Sequence, residues 1–169
     1  QQSIDTWIEQ AVPADLFVTS GANKGGIQNQ PVRPELAEQL MQVPGIAAVD
    51  RVRLRNVDYA DTQILLLALD VNLRFSQHRQ FWPFVSTLGT VEEVVQRMQR
   101  GEGVVIAQTL AHRHKLAAGD QLTLQTPSGQ QKFLILGTIT DYSSDQGAVF
   151  LDRGLYTRVW RDDLVDTFE

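Results

Sequence analysis

The segment from Gly119 to Thr138 limits what this chain can fold into more than any other. Gly119-Asp120 is a turn pair, and Gln121 to Gln125 alternates Leu122 and Leu124 with polar neighbours. Pro127-Ser128-Gly129 is a second turn, and Gln131 to Thr138 runs back as the partner strand of a hairpin. Phe133, Ile135 and Gly137 fall on one face of that return strand, while Leu134 and Leu136 fall on the other, so it is covered on both sides. An all-helical bundle is excluded, and the rest of the chain has to supply the covering layers.

That material is a mixture of both element types. Ser3 to Val12 carries Ile4, Trp7, Ile8, Ala11 and Val12 at helical spacing, and Pro13 ends it before a short strand over Ala14 to Thr19. Ser20 to Pro31, rich in Gly, Asn and Gln, reads as a loop. Pro34 to Gln42 has one apolar face and stops at Pro44-Gly45. Ile46 to Leu54 reads as a strand, Asn56 to Asp61 as a turn, and Gln63 to Val71 as a buried strand. Asn72 to Gly89 shows no clean period and reads as irregular. Thr90 to Arg100 is predicted helical, with Val91, Val94, Val95 and Met98 on one side and acidic residues early, basic residues late. A strand over Val104 to Ala107, a helix over Thr109 to Lys115, a strand over Ala148 to Leu151, a helix over Asp152 to Trp160 and the opening of a strand at Val165 to Glu169 complete the reading. Nothing in this order winds a regular parallel sheet, so the expected class is α+β.

Composition narrows the function classes. With 43% hydrophobic residues the chain can build a core, and 15 basic against 20 acidic residues give a net charge of −5, which removes bulk attraction to nucleic acid or anionic lipid. Arg51, Arg53 and Arg55 recur at every second position, as on one exposed strand face. The absence of cysteine excludes disulfides and thiol chemistry. No secretory signal is visible at Gln1, and the apolar run Ile64 to Leu69 is far shorter than the roughly 20 residues of a membrane helix.

The candidates for chemistry are few. His112 and His114 are two apart, which on a helix points them in different directions, and His78 is the other imidazole. Asp141, Ser143, Ser144 and Asp145 would serve a hydrolase, but the Gly-x-Ser-x-Gly elbow is missing and these are also the residues of a polar turn. Lys24-Gly25-Gly26 lacks the order of a phosphate loop. Asp162, Asp163 and Asp166 lack the glycine and terminal glutamate of a calcium loop and read as a solvated linker. The expectation is therefore no catalytic, cofactor-binding or metal-binding residue.

The stretch Gly103 to Ala111, followed by Leu116-Ala117-Ala118-Gly119-Asp120-Gln121-Leu122-Thr123-Leu124, resembles the MacB-like periplasmic core domain of FtsX-like ABC transporter permeases. Thr126-Pro127-Ser128-Gly129, Phe133 to Gly137, Asp141-Tyr142, Gly147 to Arg153 and Leu155-Tyr156 continue it in order. Upstream, Ala14 to Val18 and Val43 to Val49 look like the family's first strand and its helix-to-strand turn. The resemblance implies a βαβ-type lobe over about 1–71, an inserted strand-rich lobe over 72–164, and a return to the first lobe at 165–169, where an incomplete sheet would leave an edge to pair with a neighbour. It also implies a non-catalytic domain on the extracytoplasmic (periplasmic) face, anchored by transmembrane helices outside these residues. A cognate ATPase subunit, and through the outer domain a second permease copy, a periplasmic adaptor or a lipid-linked cargo, are the implied partners. Two other readings stand beside it: a serine hydrolase using Ser143 or Ser144, and a β-barrel binding module of a multidomain protein.

Overall fold

Apolar side chains on both faces of the central strands organise the molecule. A computed structural model describes residues 14–20, 30–77, 82–141 and 143–169. The described strands are β1 (Val18–Thr19), β2 (Arg51–Tyr59), β3 (Thr62–Leu69), β4 (Phe84–Thr87), β5 (Val104–Ala107), β6 (Gln121–Thr126), β7 (Gly129–Ile139), β8 (Ala148–Asp152) and β9 (Thr167–Phe168). The helices are α1 (Leu36–Leu40), α2 (Val71–Gln77), α3 (Val91–Gln99), α4 (Gln108–His114) and α5 (Arg153–Trp160). One mixed sheet runs β1-β9-β2-β3-β8-β5-β7-β4, with β6 also paired to β7. β3 with β8 and β5 with β7 are parallel, and the other pairs are antiparallel. The class is α+β, as the sequence predicts.

The sheet curls until β6 lies against β2. Ile64, Leu66 and Ala68 of β3, Val104 and Ile106 of β5, Leu122 and Leu124 of β6, and Val149 and Leu151 of β8 face the enclosed core, closed by Leu110 of α4 and by Leu155, Tyr156 and Trp160 of α5. The alternate residues Leu69, Val105, Ala107, Ala148 and Phe150 face outward and are covered by α3 through Val94, Val95 and Met98. Each fully buried Val, Leu, Ile, Phe or Met among them contributes roughly 1.5–3 kcal/mol, so covering both faces of four strands is what holds the layers together.

α3 forms where its pattern predicts. Thr90 accepts from the Glu93 amide at 3.2 Å while the Glu93 carboxylate accepts from the Thr90 amide at 2.7 Å, a reciprocal cap. Thr90→Ala is expected to cost about 1 kcal/mol, read as a lower urea midpoint with an unchanged slope.

Elsewhere the boundaries move. The strand expected at Ile46 to Leu54 runs instead over Arg51–Tyr59, through most of the expected turn, because Val57 is buried between exposed Asn56 and Asp58. The chain reverses at Ala60-Asp61, with Ala60 at φ 52°. Asn72 to Gly89 is not irregular throughout. Val71–Gln77 is helical, its Leu73 amide donating to Asp70 Oδ1 at 2.9 Å, and Phe84–Thr87 is β4. The strand over Ala14 to Thr19 contracts to Val18–Thr19, and the helix over Pro34 to Gln42 to Leu36–Leu40. The helix expected at Ser3 to Val12 lies outside the described residues. At the sheet's edge, Pro83 precedes β4 and a register shift falls between Phe84 and Ser86, two features that discourage a further strand from adding there.

Candidate functional site

Among the described residues, the buried charged side chains Asp50, Arg74, Arg153 and Asp166 gather where the segment ending in β9 crosses β2. Asp166 donates its amide to the Val52 carbonyl (2.9 Å), and β9 continues the ladder by pairing Thr167 with Val52 and Phe168 with Arg51. β1 pairs with the other side of β9, and Val32 exchanges both backbone hydrogen bonds with Val165. The segment is thus held between two earlier parts of the chain.

Side chains lock this crossing in two places. Arg53 projects from β2 with its Nε 2.9 Å from Asp162 Oδ2 and its Nη1 2.9 and 2.8 Å from the two oxygens of Asp166. Asp166 also accepts the Leu54 amide at 2.7 Å, and Asp162 accepts the Tyr156 hydroxyl at 2.6 Å and the Leu164 amide at 3.0 Å. Side-chain exposure of Arg53 and Asp166 is 13% and 10%, so these pairs are shielded from water. Burial pushes the Asp162 carboxyl up, but the bonds from Tyr156, the Leu164 amide and Arg53 outweigh it and hold it below its ordinary 3.8. Tyr156 is itself set by packing: its ring stacks on Trp160 at 5.3 Å, and Trp160 stacks on Phe133 at 5.8 Å.

The second lock is Arg74 of α2. Its Nη2 lies 2.8 Å from Asp50 Oδ2 and 2.5 Å from Glu169 Oε2. Arg153 closes the crossing from α5 by donating to the Asp163 and Leu164 carbonyls.

These geometries revise two expectations. Of the acids read as a solvated linker, Asp162 and Asp166 are not: Asp166 is buried and both receive Arg53, while Asp163 is exposed. Nor is the Arg51, Arg53, Arg55 series one exposed face, since Arg53 turns into the cluster while Arg55 stays half-exposed, 3.8 Å from Asp162. The readable signal was complementarity, basic residues in one segment and acids four apart in another.

The other candidates stand apart from this cluster. Ser143 donates to Asp141 Oδ2 at 2.5 Å and shares that oxygen with its own amide, while Ser144 Oγ accepts the Gln146 amide at 3.3 Å, so both serines close a turn. His112 and His114 lie on α4, with His112 against Gln108 and the His114 ring edge-on to Tyr59 at 4.8 Å. Lys24-Gly25-Gly26 and His78 lie outside the described residues. Among the described residues no group of His, Asp or Glu is arranged to hold a metal, and no helix is long and apolar enough to cross a membrane.

No family model matches the chain. It is 27% identical over 175 aligned positions to an uncharacterized ABC transporter permease of Mycobacterium tuberculosis, a match covering 99% of this chain and 19% of that protein. The chain therefore spans about a fifth of the length of that relative. Among solved structures it is similar to the extracellular domain of YknZ, a noncanonic ABC-type transporter from Gram-positive bacteria, with a TM-score of 0.62, 10% identity, and 90% of this chain and 79% of that one covered. It is also similar to the periplasmic region of MacB from Actinobacillus actinomycetemcomitans, with a TM-score of 0.60, 10% identity, and coverage of 90% and 71%. The chain has the fold of the extracytoplasmic domains of ABC-type transporter permeases and is similar along nearly its whole length to a segment of such a permease.

Proposed function

We propose that this chain is a non-catalytic extracytoplasmic domain of an ABC transporter permease, a rigid head through which ATP-driven movement reaches partners or cargo outside the membrane. The observation that carries this reading is the similarity of 99% of the chain to a segment of an ABC transporter permease, joined to a fold found in the outer domains of two such transporters. The cluster around Arg53 and Arg74 supports it, because its buried charges fix one segment to the sheet, while Ser143 and Ser144 close a turn and His112 and His114 contact Gln108 and Tyr59.

On this reading residues 1–71 and 165–169 form one lobe and 72–164 an inserted lobe, a division supported by the seat of β9 between β1 and β2. The partners are a cognate ATPase reached through membrane segments of the parent protein, together with a second permease copy, a periplasmic adaptor or a lipid-linked cargo. Location is tested with Val85→Cys in the full-length parent, since Val85 is 51% exposed on β4 and this chain has no cysteine of its own. A membrane-impermeant maleimide is expected to label that position in intact cells whose outer barrier has been opened. Labelling only after the inner membrane is broken would refute the assignment.

A further inference from the structure

Asp50 and Glu169 stand directly opposite each other in an antiparallel ladder. Asp50 N donates to Glu169 O at 2.7 Å and Glu169 N donates to Asp50 O at 3.0 Å, which continues the Arg51–Phe168 register by one residue. Directly opposed residues project from the same face, and like charges there repel. Arg74 is the one base between them, its Nε donating to Asp50 Oδ2 at 2.9 Å and its Nη2 lying 2.8 Å from that oxygen and 2.5 Å from Glu169 Oε2, and the side chains of all three are about nine-tenths buried. Two acids therefore share one base in a place where water screens little.

The surroundings do not restore the balance. Asp70, at the end of β3, gives its amide to Asp50 Oδ1 at 3.0 Å, but its own charge repels Asp50. Asp152, at the start of α5, adds a further carboxylate beside Asp70. Arg153 attracts Asp50 from α5, yet its hydrogen bonds go to the Asp163 and Leu164 carbonyls, and Arg51 repels it.

We propose that Asp50 and Glu169 together take up one proton as pH falls, and that this proton tightens the junction between β9 and β2. Protonating one of the two leaves a neutral pair of one carboxylate and one guanidinium, and a carboxylic O–H that can donate to the remaining carboxylate. Burial pushes both carboxyls above their ordinary values of 3.8 and 4.5, against the opposing pull of Arg74. A carboxyl raised in the folded state makes that state bind more protons than the unfolded one. Stability then rises as pH falls through the window above about 4.5 and is lost as pH rises through the folded value.

Urea unfolding of the chain between pH 7.5 and 5 tests this. The folding constant is expected to rise as pH falls, with a limiting slope of about tenfold per pH unit for one proton. Glu169→Gln, which keeps an acceptor for Arg74, is expected to lose more than half of that slope and to be at least as stable as the parent at pH 7.5; Asp50→Asn loses the slope likewise. Asp152→Asn is expected to lose less of it than either, although burial raises that carboxyl too. A folding constant that is flat or falls on acidification, a slope kept by Glu169→Gln, or a slope lost only in Asp152→Asn would overturn the proposal.

Discussion

Gly147→Ala is expected to destabilise the fold by about 3 kcal/mol or more, enough to lower the melting temperature by roughly 10 °C in a chain of this length. Two effects combine there. Gly147 has a φ of +110°, where a side chain is strained whatever the space. A Cβ at that position would also lie 2.5 Å from Leu110 Cβ and 2.9 Å from its Cα, against the first turns of α4. Neither neighbour can give way easily, because Leu110 is fully buried in the core and the Gly147 carbonyl accepts the Leu65 amide of β3 at 3.0 Å. Gly45→Ala separates the two effects: its φ is +98° but nothing lies within 4 Å, so only the strain of about 1–2 kcal/mol is expected. Equal losses at both positions, measured by thermal or urea unfolding, would show that the contact with Leu110 is not what fixes Gly147.

Removing Arg53 is expected to cost about 3–5 kcal/mol, since Arg53→Ala leaves Asp162 and Asp166 shielded from water without their counter-ion. Arg53→Lys keeps a charge but not the separate Nε and Nη1 donors, so it should fall between parent and alanine. The loss should be local as well as global, with amide exchange at Asp166 and Leu54 accelerating before the central strands, because those amides bond directly across this crossing. The acid side carries its own sign. Asp162 is held below its ordinary value, so the stability it contributes is present above pH 3.8 and is lost as pH falls through its folded value, opposite in direction to Asp50 and Glu169.

Much of this architecture could be read from residue order, for reasons that differ by element. α3 was legible because its cap, apolar stripe and charge distribution all agree, β6 and β7 because alternation and turn residues mark them, and β5 because it is a short continuous apolar run after Gly103. The β2–β3 reversal was expected within Asn56 to Asp61 but not its tight placing at Ala60-Asp61, since a left-handed alanine at position 60 carries none of the Gly or Asn signal of a tight turn. α2 was hidden by its short length and by Arg74, a charged residue whose burial follows from Asp50 and Glu169, 24 residues before it and 95 residues after. The same distance concealed the Arg53 cluster: strand periodicity describes which residues share a face, not which remote segment covers that face. The crossing that takes up the charged residues was not legible.

On the proposed reading this domain moves as one stiff outer body of a permease. Pulsed spin–spin distance measurement on the full-length permease with its ATPase tests it most directly, using labels at exposed Val85 and Gln125 within the domain and a third site on the ATPase. The Val85–Gln125 distance is expected to stay constant through the ATP cycle while the distance from Val85 to the ATPase changes. An internal distance that shifts with ATP, or an outer distance that never does, would contradict it.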